Sequence, residues 1–152
     1  MAAIKKILCA VDFADFSPQV ADYANTLANA FQGEIHVVYI VPSMSQYVGL
    51  QVAPSSIESF VGEIISGAED TMNQFIQDHF SDVAVQGKVI TGYAAEEILR
   101  YAEEQGMDLI VMGTHGRKGI DRILFGSVAE RVVKSSTTPV LTLRPQQSES
   151  SI

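Results

Sequence analysis

The hydrophobic period of this chain alternates. A short apolar run of strand length is followed by a stretch of helical spacing, four times over, and a fifth strand closes the series. The strand-like runs are IKKILCAVDF (4–13), EIHVVYIV (34–41), VAVQGKVIT (83–91), DLIVMG (108–113) and TPVLTLR (138–144). Between them, apolar residues recur every three or four positions. Val20, Ala24, Leu27, Ala28 and Phe31 follow a Ser17-Pro18 start, with Ser17 as the cap and Gly33 as the stop. From Ser56 a long helix follows, with Ile57, Phe60, Val61, Ile64, Ala68, Met72, Phe75 and Ile76 on one face. Ala95, Ile98, Leu99 and Ala102 face one way in 94–105, which Gly106 ends, and SVAERVV precedes the last strand. Strands that alternate with helices imply a parallel sheet covered on both faces. DLIVMG, the most apolar run, reads as a central strand, and the partly alternating 83–91 as an edge. The fold class is therefore α/β, a single doubly wound domain.

In such sheets a ligand binds beyond the carboxyl ends of the strands, where the winding direction reverses. GTHGRKGIDRILFGS (113–127) lies beyond one of those ends and is longer than a simple connection requires. Glycine lets backbone N–H groups approach a ligand closely and turn toward one point, which suits phosphate. Gly113 and Gly116 are read that way, and IDRILF as a short amphipathic turn. Gly126-Ser127 is read as opening the last helix, with unpaired amides at its positive end. Ser127 and Glu130 have capping-box spacing, so Ser127 caps that helix, contacts phosphate, or does both. Asp12, a carboxylate ending an apolar strand, either faces a cleft or caps the loop behind it. The stretch 42–54 shows neither period and reads as a lid, a binding loop or a mobile segment.

Charge narrows the ligand. The chain carries a net −8, against general nucleic-acid binding, which needs surplus Lys and Arg. Residues 113–135 hold Arg117, Lys118, Arg122, Arg131 and Lys134 against Asp121 and Glu130, a local +3, so the remainder sums to −11. A basic stretch on an acidic protein suits a small anion, although chance placement of surface charge gives the same count. The single cysteine, Cys9, permits no internal disulfide, and no run is long enough to span a membrane. A cytoplasmic protein is expected, with one domain over 1–145 and a disordered tail over 146–152. His36 and His79 have no metal-ligand partners nearby in the sequence and read as structural.

These residues carry a resemblance. G-x-x-G, nine residues, then G-S, in GTHGRKGIDRILFGSVAERVVKSSTTPVLTLRP, resembles the nucleotide-binding signature of the universal stress protein family. The opening ILCAVDFADFSPQVADYA, the strand HVVYIV and the closing TPVLTLR also fall where that family has them. The resemblance implies a five-stranded parallel sheet in the order 3-2-1-4-5, of the adenine nucleotide alpha-hydrolase type. It also implies a homodimer through the last strand, 138–144. The full glycine signature resembles the branch that binds ATP, with Mg2+ as an accompanying ion that Asp12 could help hold.

By matching position, the resemblance places Asp12 at the ribose hydroxyls, Ala10 and Val11 beside the base, and the Val41 backbone at adenine. Met112 and Gly113 flank the nucleotide, and Gly116, Gly126, Ser127 and Val128 surround the phosphates. His115 and Arg117, inside the loop, could approach the phosphates as well. The sequence has no G-x-x-x-x-G-K-[ST] loop, no G-x-S-x-G elbow, no Cys/His pair and no zinc cluster. The expectation is a binding protein that ATP switches, with hydrolysis slow or incidental. An adenine-nucleotide hydrolase or adenylyl transferase is the rival, and a flavin or redox module a third reading.

Overall fold

The computed structural model describes residues 2–42, 54–114 and 120–144, and within these only the backbone of 54–58, 60, 61 and 120–125. The elements are β1 (Lys6–Ala10), α1 (Ser17–Phe31), β2 (Glu34–Val41), α2 (Pro54–His79), β3 (Ala84–Thr91), α3 (Ala94–Glu104), β4 (Leu109–Gly113), α4 (Ile120–Ser135) and β5 (Val140–Leu143). The five strands form one sheet in the order β3-β2-β1-β4-β5. All four pairings are parallel, with Cys9 level with Val37 on one side and Val111 on the other. The anticipated order holds, with β1 at the centre and β3 at an edge.

Strand side chains alternate, so each central strand feeds two cores. Ile7, Cys9, Ile35, Val37, Leu109 and Val111 pack on one face against Val20, Ala24 and Ala28 of α1 and Met72 and Phe75 of α2. Leu8, Ala10, Val38, Ile110 and Met112 pack on the other, against Ile98 and Ala102 of α3 and Ala129 and Val132 of α4. Burial on both sides explains why β1 and β4 read as continuous apolar runs. Burial also pushes the Cys9 thiol up to about 12, leaving it an inert core group.

Local details differ from the sequence reading. Ser17 is not the cap of α1: Phe16 holds that position, without a side-chain cap hydrogen bond, and Ser17 is the first helical residue. The left-handed residue that ends α1 is Gln32 (φ 54°), not Gly33. Glycine is needed next door for space, because a Cβ at Gly33 would lie 2.8 Å from the Lys5 carbonyl oxygen. Gly106, at φ 63°, does follow α3 as expected.

The largest difference is α4. It runs unbroken from Ile120 to Ser135, so Gly126-Ser127 lies inside a helix and does not open one. The residues 120–125 contain no proline and several good helix formers, and a single glycine does not stop propagation. The helix end that can face an anion is at Ile120, directly after 115–119. The segments 43–53 and 115–119, and the tail from 145, lie outside the described residues.

Candidate functional site

The cleft forms where the topology reverses, between β1 and β4, at their carboxyl ends. β1 contributes Ala10 and, just beyond it, Val11 and Asp12; α1 contributes Phe16, Ser17 and Val20; β4 contributes Gly113. Among the described residues the space is a shallow cleft, open to solvent. These residues can therefore grip one part of a ligand and do not enclose it.

Asp12 is the chemical centre. Its Oδ1 accepts a hydrogen bond from the Ala14 N–H at 2.9 Å and another from the Ser17 hydroxyl at 3.1 Å. The two sequence readings of this residue are thus both realised in part: the carboxylate turns the loop, and it also lines the cleft. Between Asp12 and Ala14 stands Phe13 at φ 61°, a conformation unusual for a bulky residue. Its ring packs against Tyr39, with centroids 4.7 Å apart, and edge-on to Phe75 at 5.5 Å.

Other anticipated residues are distributed as follows. Val11 donates its N–H to the Val38 carbonyl at 3.0 Å, which extends the ladder past the end of β1. The Met112 side chain is fully buried in the core under the sheet, so only its backbone can meet a ligand. Val41 is buried too, and its carbonyl accepts from the Gly92 N–H at 2.9 Å, leaving one lone pair of that oxygen. Gly126 is half-buried, with a Cβ built there only 3.2 Å from the Thr114 carbonyl oxygen. Glycine at 126 thus lets α4 close on the exit of β4. Ser127 is exposed and Val128 half-buried, both on α4. As interior helix residues they have their amides in the helix ladder, and the unpaired amides of α4 belong to its first turn, from Ile120. His115, Gly116 and Arg117 lie outside the described residues.

The basic stretch divides as well. Arg131 pairs with Glu96 of α3, and Lys134 with Glu130 one turn back at 2.8 Å. Neither cation is reserved for a ligand at the cleft. The sequence reading missed Phe13, Phe16, Ser17 and Val20 as residues of the site. A signal existed for Ser17, which follows Asp12 by five positions, but it was absorbed by the helix-cap reading.

The described residues hold no group of three or more His, Cys, Asp or Glu suited to a metal ion. No described helix is long and apolar enough to cross a membrane. His36, anticipated as structural, sits deep in the protein, with Nδ1 2.7 Å from the Tyr101 hydroxyl and Nε2 2.8 Å from the Gln86 amide nitrogen.

A family model described as the universal stress protein family matches residues 3–144. The chain belongs to the universal stress protein family. It is 35% identical over 147 residues to universal stress protein MJ0531 of Methanocaldococcus jannaschii, covering 95% of this chain and 85% of that protein. It is 32% identical over 148 residues to universal stress protein YxiE of Bacillus subtilis, covering 91% and 98%. The solved structure of protein MJ0577 superposes with a TM-score of 0.80 at 24% identity, covering 97% of this chain and all of that one. A universal stress protein from Archaeoglobus fulgidus, solved in complex with dAMP, superposes at 0.58 with 21% identity, covering 93% and 98%. Another, solved in complex with cAMP, superposes at 0.59 with 20% identity, covering 94% and 98%. These superpositions establish the shared fold, a five-stranded parallel sheet between helices.

Proposed function

We propose that this universal stress protein binds ATP at the mouth of its sheet and acts as a nucleotide-dependent regulatory protein in the stress response. The observation that carries the reading is the meeting of Asp12 and Gly113 in one cleft at the reversal between β1 and β4. A carboxylate there is an acceptor, matched to the hydroxyls of a ribose. Glycine beside it lets a ligand approach the main chain. Family relatives solved with cAMP and dAMP, both adenine nucleotides, support the ligand class.

In this reading Asp12 holds the ribose, Ala10 and Val11 border the base, and the Val41 backbone meets adenine. Met112 contributes its main chain and Gly113 a close approach. Gly116, with His115 and Arg117 beside it, leads the phosphates toward the start of α4. Ser127 adds its hydroxyl, while Gly126 and Val128 bring the helix close. Magnesium would come with the phosphate oxygens, since a hard cation favours oxygen ligands. β5 ends the sheet, and among the described residues no further strand pairs with its outer edge, which supports a homodimer through 138–144. A cytoplasmic location fits the single, fully buried cysteine.

The test is direct. Purified protein is denatured and the released nucleotide identified by chromatography, and ATP binding to stripped protein is followed by calorimetry. Release or saturable binding of ATP is expected; neither would end the reading. Magnesium-dependent turnover at ~1 per second or faster, abolished by Asp12→Ala, would replace the regulatory role by an enzymatic one.

A further inference from the structure

We propose that Ser17 and Phe13 are positioning residues for the Asp12 carboxylate, fixing its Oδ1 so that Oδ2 is the oxygen offered to the sugar hydroxyls of a bound nucleoside. The inference rests on the nucleotide reading above and assigns that site's recognition of ribose to a built device.

Two donors converge on the same oxygen. The Ala14 N–H and the Ser17 hydroxyl both reach Oδ1, at 2.9 and 3.1 Å. Among the described residues Oδ2 has no hydrogen-bond partner, although Asp12 is half-buried. A half-buried carboxylate that turns a loop needs only one engaged oxygen to do so. The second is left as a charged acceptor that takes a hydroxyl and repels phosphate.

Neither donor can drift. Ser17 is 3% exposed and sits in the first turn of α1, whose buried face packs on the sheet. Ala14 takes its position from Phe13, and Phe13 holds a left-handed conformation that a bulky side chain adopts only where its surroundings enforce it. The enforcement is visible as the packing of its ring against Tyr39 of β2 and Phe75 of α2. Strain beside the one carboxylate among the described residues of the cleft marks a rigid acceptor, because pre-orientation lowers the entropy lost on binding.

The test compares ATP with 2′,3′-dideoxy-ATP on the full chain by calorimetry, with thermal melting to check folding. The unaltered protein should prefer ATP by about tenfold or more, the range of a hydrogen bond to a charged group. Ser17→Ala should weaken ATP several-fold while leaving the dideoxy analogue unchanged, so that the preference collapses. Ser17→Cys, which retains a weak donor, should fall between. Phe13→Gly tolerates the backbone angle but removes the wedge, and should lower the same preference even if Ser17→Ala does not fold. Equal losses for both ligands, or an unaltered ratio in these variants, would overturn the positioning role and leave ATP binding standing. Failure of the unaltered protein to bind ATP would instead remove the nucleotide reading, and this inference with it.

Discussion

Two regions of the molecule place polar groups where water is scarce, and they do so in opposite ways. Under the sheet, His36 is 3% exposed and both of its ring nitrogens are engaged, by Tyr101 and by Gln86. At the mouth, Asp12 has one oxygen engaged twice and the other without a partner among the described residues. A polar group whose capacity is used up internally stabilises a fold. One with capacity in reserve can bind. Burial alone does not separate structure from function; the tally of donors and acceptors does.

Removing His36 should give the largest effect. His36→Ala opens a cavity and strands the Tyr101 hydroxyl and the Gln86 amide, so a loss of about 3 kcal/mol is expected by chemical denaturation, with ATP affinity unchanged in protein that remains folded. A large loss of affinity with no loss of stability would break the contrast between the regions. The converse experiment is Asp12→Asn, which keeps a side-chain oxygen for Ala14 and Ser17 but removes the charge. ATP affinity should fall about tenfold, equivalent to ~1.4 kcal/mol, while the melting temperature barely moves.

Tyr101→Phe removes only one hydroxyl from the buried cluster and should cost about 1 kcal/mol of stability, again without changing affinity. Acid should act on the same region. Burial holds the His36 pKa below its ordinary 6.5, the Lys6 charge adds to this, and the Glu34 carboxylate, 3.7 Å from Nε2, opposes it. The Gln86 amide already donates to Nε2, so a proton there would set two donors face to face. The unfolded chain therefore binds the proton more readily, and stability contributed by neutral His36 is present above pH 6.5 and declines as pH falls through it. Denaturation at pH 7.5 and 5.5, in unaltered protein and in His36→Gln, should show a smaller decline in the variant. The smallest effect belongs to Lys134→Ala: its pair with Glu130 is fully exposed, and neither stability nor affinity should change measurably.

The sheet was legible in the chain because period is a local property. ILCAV and LIVM read as central strands since each residue of such a run meets a core on one face or the other. Asp12 was legible for a related reason: a charge that follows an apolar strand needs an outlet. Helix starts were read less well. Ser17 has the residue type and the following proline of a cap, yet its hydroxyl bonds to Asp12 Oδ1 and the cap position falls on Phe16. Gly126-Ser127 carries every local mark of a helix start and lies inside α4. Glycine there answers to the Thr114 carbonyl across the gap, a neighbour twelve residues away in sequence that no local pattern reports.

Alternation of period and the placement of one carboxylate after an apolar strand were settled by the sequence itself, because backbone geometry translates spacing directly into strand, helix and face. The convergence of Ala14 and Ser17 on one oxygen, the left-handed turn at Phe13 held by Tyr39 and Phe75, and the pairing of Arg131 with Glu96 were decided only by tertiary structure. Each depends on which groups the folded chain brings within a few ångströms. Distances of that kind follow from packing among several elements at once, and not from the order of residues along any one of them.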